Sequence, residues 1–585
     1  MSSEEQTAED SYLNLFQEGI KSENIHERLF TAGNIWLVAA AIGPENTRSK
    51  LLPYIQQATE LTGEVQSIIA EQLGNSLKYV GGHEYASHLL NVLKLFADSE
   101  ESFVRDKAIS SISKICLAIP SPSCDTLITN NLQSLFTSTA PSSRISACAL
   151  LPSLYERVSD QNKAKLRRSF IAAVKDEAPI VRRAAIHTIP DLCSVYKSTV
   201  IMGEIVRQGL TDRLNDDDDS IRVMIPDCLP PIAAKVTPAD RQNSLVPLAK
   251  ALAKDSSWWV RAKMAKTLSA FVPYFATALD RSDIGAIILF LLRDPDPEVK
   301  TAACLCCKQI VDVFLKVPSF FIDSVFPDIS ALVTDRFKQV REEVAGDLLW
   351  FGKVTGPTVL KETIFPLFIS LISDKERDVV LSALKSINPN FSTIDSFSLT
   401  QAVLPKLVEI AKKEDWRVKV EIIKLLPLFL PFINTEAVPV QIIPLIAAWL
   451  HDAAFAVRET ISQTLPQIIK VADSETVTDD IIAVLLKLIY DPGYSVREAA
   501  LLAINYLTNG ISRQLLLEKL VPNVVLLASD PVPNVRLLAA RTLNAIKKYL
   551  GSEAPSNINM TLNLLTNIDA DEDVRYFAAH PDSNK

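Results

Sequence analysis

Apolar residues along this chain fall into long and short segments that alternate. In "VREAALLAINYL" (496–507), Val496, Ala499, Ala500, Ala503, Ile504 and Leu507 recur at three and four residues. That is the spacing of one face of a helix. A shorter apolar segment, "LVPNVVLLA" (520–528), precedes the next long one, and the turn "DPVPNVR" (530–536) joins them. Each pair predicts a helical hairpin of about 39 residues, entered through a proline that suits a first helical turn. Pro327, Pro366, Pro405, Pro444 and Pro522 mark the short segments at multiples of that period, and some of them are positioned to kink the helix.

The basic residue after the turn serves as a ruler. It falls at Arg28, Gln66, Arg105, Arg144, Arg182, Arg222, Arg261, Lys300, Arg341, Val380, Lys419, Arg458, Arg497, Arg536 and Arg575. Thirteen of these fifteen positions are basic, and Val or Ile precedes thirteen of them. Asp stands six residues earlier in ten of them, from Asp176 to Asp569. A single hairpin cannot bury its own apolar face, whereas a row of identical hairpins can. The predicted fold is therefore all-α: an α–α superhelix, a solenoid of about fifteen HEAT repeats with armadillo-like helical stacking.

The turn residues follow from the same requirement. The Val enters the shared core, and the Asp carboxylate accepts backbone N–H groups near the start of the second helix. A cation in the first turn of a helix opposes its dipole, so the Arg needs an anion. Each Arg is expected to bond the Asp of its own or the next repeat. The ladder then runs through Asp452, Arg458, Asp491, Arg497, Asp530 and Arg536, and breaks at Val380.

Composition narrows the function classes. The net charge of −9 supplies no basic stripe for nucleic acid. "MSSEEQTAED" shows no secretory signal, and neither "AIILFLL" (286–292) nor "LLPLFLPFI" (425–433) reaches membrane-spanning length. The chain reads as soluble and intracellular, with no membrane partner. Eight cysteines lie between Cys116 and Cys307, and Cys304, Cys306 and Cys307 cluster in "AACLCCKQI". They lack the second ligand pair a zinc site needs and read as buried thiols. The run Asp216–Asp219 in "NDDDDS" falls on a within-hairpin turn and reads as a solvated or partner-facing acidic turn, with a divalent site as the alternative. No phosphate-binding loop, nucleophile elbow or HExxH motif is present, so no catalytic residue, metal or cofactor is assigned.

Large side chains on the turns are the candidate binding residues. Trp416, Phe455 and Tyr494 all stand three residues before the ruler position, 39 residues apart. Trp258 occupies the same place earlier in the chain. Aromatic residues aligned beside arginines have the make-up of a binding hot spot, although each ring could instead pack on its own hairpin.

Phrases along the chain, among them "TRSKLLPYI" (47–55), "VGGHEY" (80–85), "WRVKVEIIKLLPL" (416–428), "AWLHDAAFAVRE" (448–459) and "DVRYFA" (573–578), resemble the scaffold (A, structural, 65 kDa class) subunit family of protein serine/threonine phosphatase 2A. The resemblance implies a horseshoe-shaped, non-catalytic scaffold with two partners, forming a heterodimeric core and a heterotrimeric holoenzyme. A catalytic subunit would bind repeats 11–15 through Trp416, Arg417, Phe455, Tyr494, Arg497, Val532 and Asn534. An exchangeable B-type regulatory subunit would bind repeats 2–8 through Glu100, Glu101, Glu177, Pro179, Arg182, Arg183 and Trp258. The metal site of such a phosphatase would belong to the catalytic partner. The implied divisions are a flexible acidic tail at 1–10, the regulatory half at 11–310, a connector at 311–390 and the catalytic half at 391–585. The implied location is the cytoplasm, extending to the nucleus.

Departures from the family pattern are Ala140 in place of a turn aromatic, Phe455 in place of Tyr, Val380 in place of a basic residue, and a last helix stopped early near Pro581. Two other binding solenoids fit the repeat: a nuclear transport receptor and a tubulin-binding array. The first has less regular spacing. The second comes in modules joined by linkers, which this sequence lacks.

Overall fold

Proline sets the shape of the first helix in several repeats. Pro327, Pro366 and Pro522 stand in the opening turn of the helices Phe326–Leu332, Phe365–Leu371 and Val521–Leu527. Each is preceded by a wide π turn: Phe321–Val325, Leu360–Ile364 and Leu516–Leu520. Proline cannot donate the backbone bond the preceding turn expects, and a wider turn accommodates the gap. These prolines therefore mark a bend within the first helix and not its entry, whereas Pro405 lies inside the helix Ser396–Ile410.

The computed structural model describes residues 3–57, 61–120, 124–275, 283–390, 395–412, 415–433 and 438–581, side chains of 3–10 and 389 excepted. Among these residues the regular structure is helical throughout. The first helix spans Ser3–Ile20 and takes in residues the sequence assigned to a tail. The last, Glu572–Ala579, ends one residue before His580. No helix of the described residues is long and apolar enough to cross a membrane.

The chain divides into two compact units, Met1–Cys306 and Cys307–Lys585. In the first, the second helices Gly63–Leu73, Ser102–Ala118, Pro141–Leu154, Pro179–Val195, Ile225–Lys235 and Trp258–Phe271 each pack on the next. In the second, the corresponding row is Lys338–Asp347, Arg377–Asn390, Trp416–Phe429, Phe455–Ala472, Tyr494–Leu507, Pro533–Leu550 and Glu572–Ala579. This row of like-on-like helices is the core of each unit. The Val or Ile before the ruler position enters it: Val104, Val181, Ile221, Val260, Val340, Val379, Val457, Val535 and Val574 are fully buried. Each such side chain contributes roughly 1.5–3 kcal/mol of burial, which is why the position repeats. All eight cysteine side chains are buried, and burial pushes the thiols of Cys116, Cys193 and Cys306 up to about 12.

Candidate protein-binding edge

The turn between the two helices of a repeat is built by one Asp and one Arg. Asp255 Oδ1 accepts the N–H of Ser257 at 2.8 Å, inside the turn, and so shapes the chain before the second helix begins. Arg261 Nη1 donates to the carbonyls of Asp255 and Ser256 at 2.9 and 3.2 Å. Those carbonyls follow the C-terminal end of the first helix, so the cation serves an electronegative end there as well as opening the second helix. The rest of its guanidinium reaches onward: Nε and Nη2 donate to Asp294 Oδ2 and Oδ1 at 2.7 and 3.0 Å. The Arg therefore bonds its own turn through carbonyls and the next turn through the carboxylate.

The same fork joins Arg144 to Asp176, Arg222 to Asp255, Arg341 to Asp374, Arg497 to Asp530 and Arg536 to Asp569. Arg182 pairs with Asp216, and Lys419 makes a single bond to Asp452 at 2.7 Å. The expected rung from Arg458 to Asp491 is a correction. Arg458 Nη1 holds the carbonyls of Asp452 and Ala453 at 2.7 and 2.9 Å, yet no bond joins it to Asp491 among the described residues. Asp491 meets His451 Nε2 instead, at 3.1 Å. Arg458 lies buried in a cleft of about 220 Å³ with Phe455, Glu498, Asn534 and Arg541. Glu498 lines the same cleft; burial raises its carboxyl, and Arg458 and Arg497 draw it back. Val380 is buried and makes no rung, and position 413, which would receive one, lies outside the described residues.

Candidate residues of the second unit line the turns. Trp416, Phe455 and Tyr494 are each the first residue of their helix and are 39–57% exposed. Starting the helix at that residue leaves the ring outside the core and above the turn. The Arg417 guanidinium lies 4.3 Å from the Trp416 ring centroid, a cation–π distance. Asn534 is exposed and Val532 half-buried, one turn further along the row. Arg497 is occupied by the ladder through Asp530, so its free surface is limited.

In the first unit Glu100, Glu101, Glu177, Pro179, Arg183 and Trp258 are exposed on their turns. The Glu101 carboxylate sits where a side chain at Gly63 would be, at the start of the preceding second helix. Arg182 is taken up by the ladder. The acidic run is largely engaged in structure: Asp216 takes Arg182 and Arg213, Asp218 caps the next helix, and Asp219 accepts from Ser257 Oγ. At the turn that holds Ala140, Ser142 and Ser143 donate to Asp98, giving a polar surface with no ring.

Sequence reasoning missed a second column. Phe103, Ile180 and Trp259 stand two residues before the ruler position and are 46–48% exposed. Their signal lies at the same 39-residue phase, one position later than the aromatic column of the second unit.

Several known proteins are similar to the chain. A family model described as PIK3R4-like, middle domain, matches residues 124–389. The protein phosphatase 2A scaffold protein of Dictyostelium discoideum is 36% identical over 188 residues, 32% of each chain. The PP2A 65 kDa regulatory protein of Drosophila melanogaster is 35% identical over 179 residues, 31% of this chain and 30% of that one. The PP2A regulatory protein of the A class from Schizosaccharomyces pombe is 34% identical over 253 residues, covering 42% of each chain. The matched stretches thus span less than half the length of these relatives. Among solved structures, Kap121p superposes with a TM-score of 0.63 at 15% identity, covering 99% of this chain and 61% of that one. Yeast importin-beta gives 0.54 at 12%, covering 98% and 76%. Likeness at such identity establishes the fold alone. Fold and edge together define the class: a HEAT-repeat solenoid with a row of turns exposed along each unit. Over the matched stretches the chain is similar in sequence to scaffold, or 65 kDa regulatory, proteins of protein phosphatase 2A.

Proposed function

We propose that the chain is the non-catalytic scaffold of a phosphatase 2A-type holoenzyme. The second unit's turns, carrying Trp416, Arg417, Phe455, Tyr494, Val532 and Asn534, hold the catalytic subunit. The first unit's turns, carrying Glu100, Glu101, Glu177, Pro179, Arg183 and Trp258, hold an exchangeable regulatory subunit. The single observation that carries the reading is the column of three exposed rings, each opening its helix at one period. Rings exposed to this extent bury most of their surface only when a second protein covers them. Arg417, stacked on Trp416, adds a guanidinium to the same surface.

Scaffolding of this kind works by proximity. Two partners on one chain meet at an effective concentration set by the body that joins them, with no new contact between them. The scaffold contributes position, and the catalytic subunit would contribute all metal chemistry. We place the complex in the cytoplasm, with access to the nucleus. The test is co-purification. The chain alone should show no phosphatase activity. Mixed with a phosphatase 2A catalytic subunit it should elute as a stable heterodimer, and a B-type subunit should extend this to a heterotrimer. Failure to form the heterodimer sinks the proposal.

A further inference from the structure

The helix Lys338–Asp347 carries two acids one turn apart, Glu343 and Asp347, that serve neither the ladder nor the exposed edge. Asp347 is 2% exposed, at the C-terminal end of that helix, where the dipole disfavours a negative charge. Lys308 Nζ donates to Asp347 Oδ1 at 2.5 Å. Asp347 Oδ2 has no hydrogen-bond partner. Glu343 is half-buried beside it. Two carboxylates and one ammonium leave one negative charge in excess, and an uncompensated charge that far from water is costly.

Glu342, on the same helix as the pair, adds to the negative potential. On that helix Arg341 is taken by Asp374, and from the helix Pro297–Gln309, which also carries Glu298 and Lys300, Lys308 is the cation that reaches the pair. From the neighbouring helix Arg377–Asn390, Ser382 Oγ donates to the Glu342 carbonyl at 2.8 Å. On that helix Asp378 is taken by Lys338, Arg377 pairs with Asp378 and Asp415, and Lys385 is exposed. The helix Phe326–Leu332 contributes only Asp328, and the segments Leu348–Phe351 and Phe365–Leu371 carry no charge. Lys353 lies over the Trp350 ring at 3.4 Å.

We propose that Glu343 and Asp347 share a single proton and, with Lys308, form a proton-operated latch in the second unit. With the proton in place, a carboxylic O–H of one acid donates to the other, and the remaining charge is neutralised by Lys308. When the proton leaves to water, two adjacent carboxylates face one ammonium, and the C-terminal end of Lys338–Asp347 loosens. The energetics agree in direction. Burial first, and the Asp347 charge second, push the Glu343 carboxyl up to about 7, and burial raises Asp347 as well. A carboxyl raised in the fold binds more protons folded than unfolded, between its ordinary value and the raised one. Stability therefore falls as pH rises across that window, and the loss is complete above about 7. The window ends at neutral pH, so the latch works where small pH changes occur.

Hydrogen exchange by mass spectrometry on the full chain tests this, following peptides over 338–351 at pH 6 and pH 8 after correction for intrinsic exchange rates. Protection in the wild-type chain should fall about tenfold over this interval. Glu343→Gln keeps the shape and removes one ionisation, so it should hold its pH 6 protection at pH 8. Peptides over 533–550 should not respond in either protein. An equal response in wild type and Glu343→Gln, or a flat wild-type profile, overturns the latch. If Glu343→Gln does not fold, Asp347→Asn is read by the same criterion.

Discussion

The two units use the same hairpin but present different edges. In the first, exposed apolar side chains Phe103, Ile180 and Trp259 stand two residues before the ruler Arg, with Trp258 added beside the last. In the second, Trp416, Phe455 and Tyr494 stand three before it. One residue along a helix is about 100° around it. The two columns therefore address different directions relative to their own cores. The ladders differ as well. Among the described residues, Gln66 and Arg105 make no rung at the start of the first unit, where Arg144, Arg182, Arg222 and Arg261 then make successive ones, whereas the breaks of the second unit, at Val380 and Arg458, fall within its row. The lesson is that the Val and the Asp turn serve stacking and are held to one pattern. The residues between them are left to vary, and they carry the difference between the two edges.

The largest expected effect breaks a rung where it is least exposed. Asp294 is 2% and Arg261 13% exposed at the side chain, and Asp294→Ala leaves that guanidinium without its carboxylate. Removing one partner of a buried pair costs about 3 kcal/mol. The first urea transition of the variant should move to lower concentration by a corresponding amount. A shift no larger than that of an exposed control such as Asp283→Ala would reduce the ladder to surface decoration.

Next comes the column. Trp416→Ala should weaken catalytic-subunit binding by about 2 kcal/mol, read by calorimetry, with the helical circular dichroism unchanged. Phe103→Ala should leave that affinity alone and weaken regulatory-subunit binding instead. The comparison between units fails if either substitution affects both partners equally.

What the sequence disclosed follows from what stacking demands. Period, hairpin, buried Val and the Asp-to-Arg spacing were legible because each repeat must meet its neighbour in the same way. The direction of the rungs was left open between the same repeat and the next. The structure resolves it, with carbonyls of the same turn and the carboxylate of the next. The departure of Arg458 from the ladder was not legible, because its spacing to Asp491 is the same as the spacing from Arg497 to Asp530, which does carry a rung. The column at Phe103, Ile180 and Trp259 was overlooked because it mixes residue types and stands one position off the aromatic column. The latch was hidden for a third reason: Lys308 and Asp347 belong to different repeats and meet only once the helices stack.

Acid should probe the end of the ladder. The bond from Arg536, opposed by burial and helped by the N–H of Asp571, holds the Asp569 carboxyl below its ordinary value. A depressed carboxyl contributes stability above its unfolded value and loses it as pH falls through the folded one. Protection of the helix Glu572–Ala579 against hydrogen exchange should therefore drop as pH falls below about 4. Asp569→Asn should abolish that dependence, at a cost of about 1 kcal/mol at neutral pH.

The smallest effect decides whether the missing rung is real. In a double-mutant cycle, Arg497→Met and Asp530→Ala should couple by about 1–2 kcal/mol, since the pair forms a fork with side chains 12% and 5% exposed. Arg458→Met and Asp491→Ala should couple by about 0 kcal/mol, because no bond joins them. His451→Ala should cost about 0.5 kcal/mol or less, since one hydrogen bond from a side chain 58% exposed is screened by water. A coupling for Arg458 and Asp491 equal to that for Arg497 and Asp530 would restore the unbroken ladder. It would also draw Arg458 away from the cleft it shares with Phe455 and Glu498.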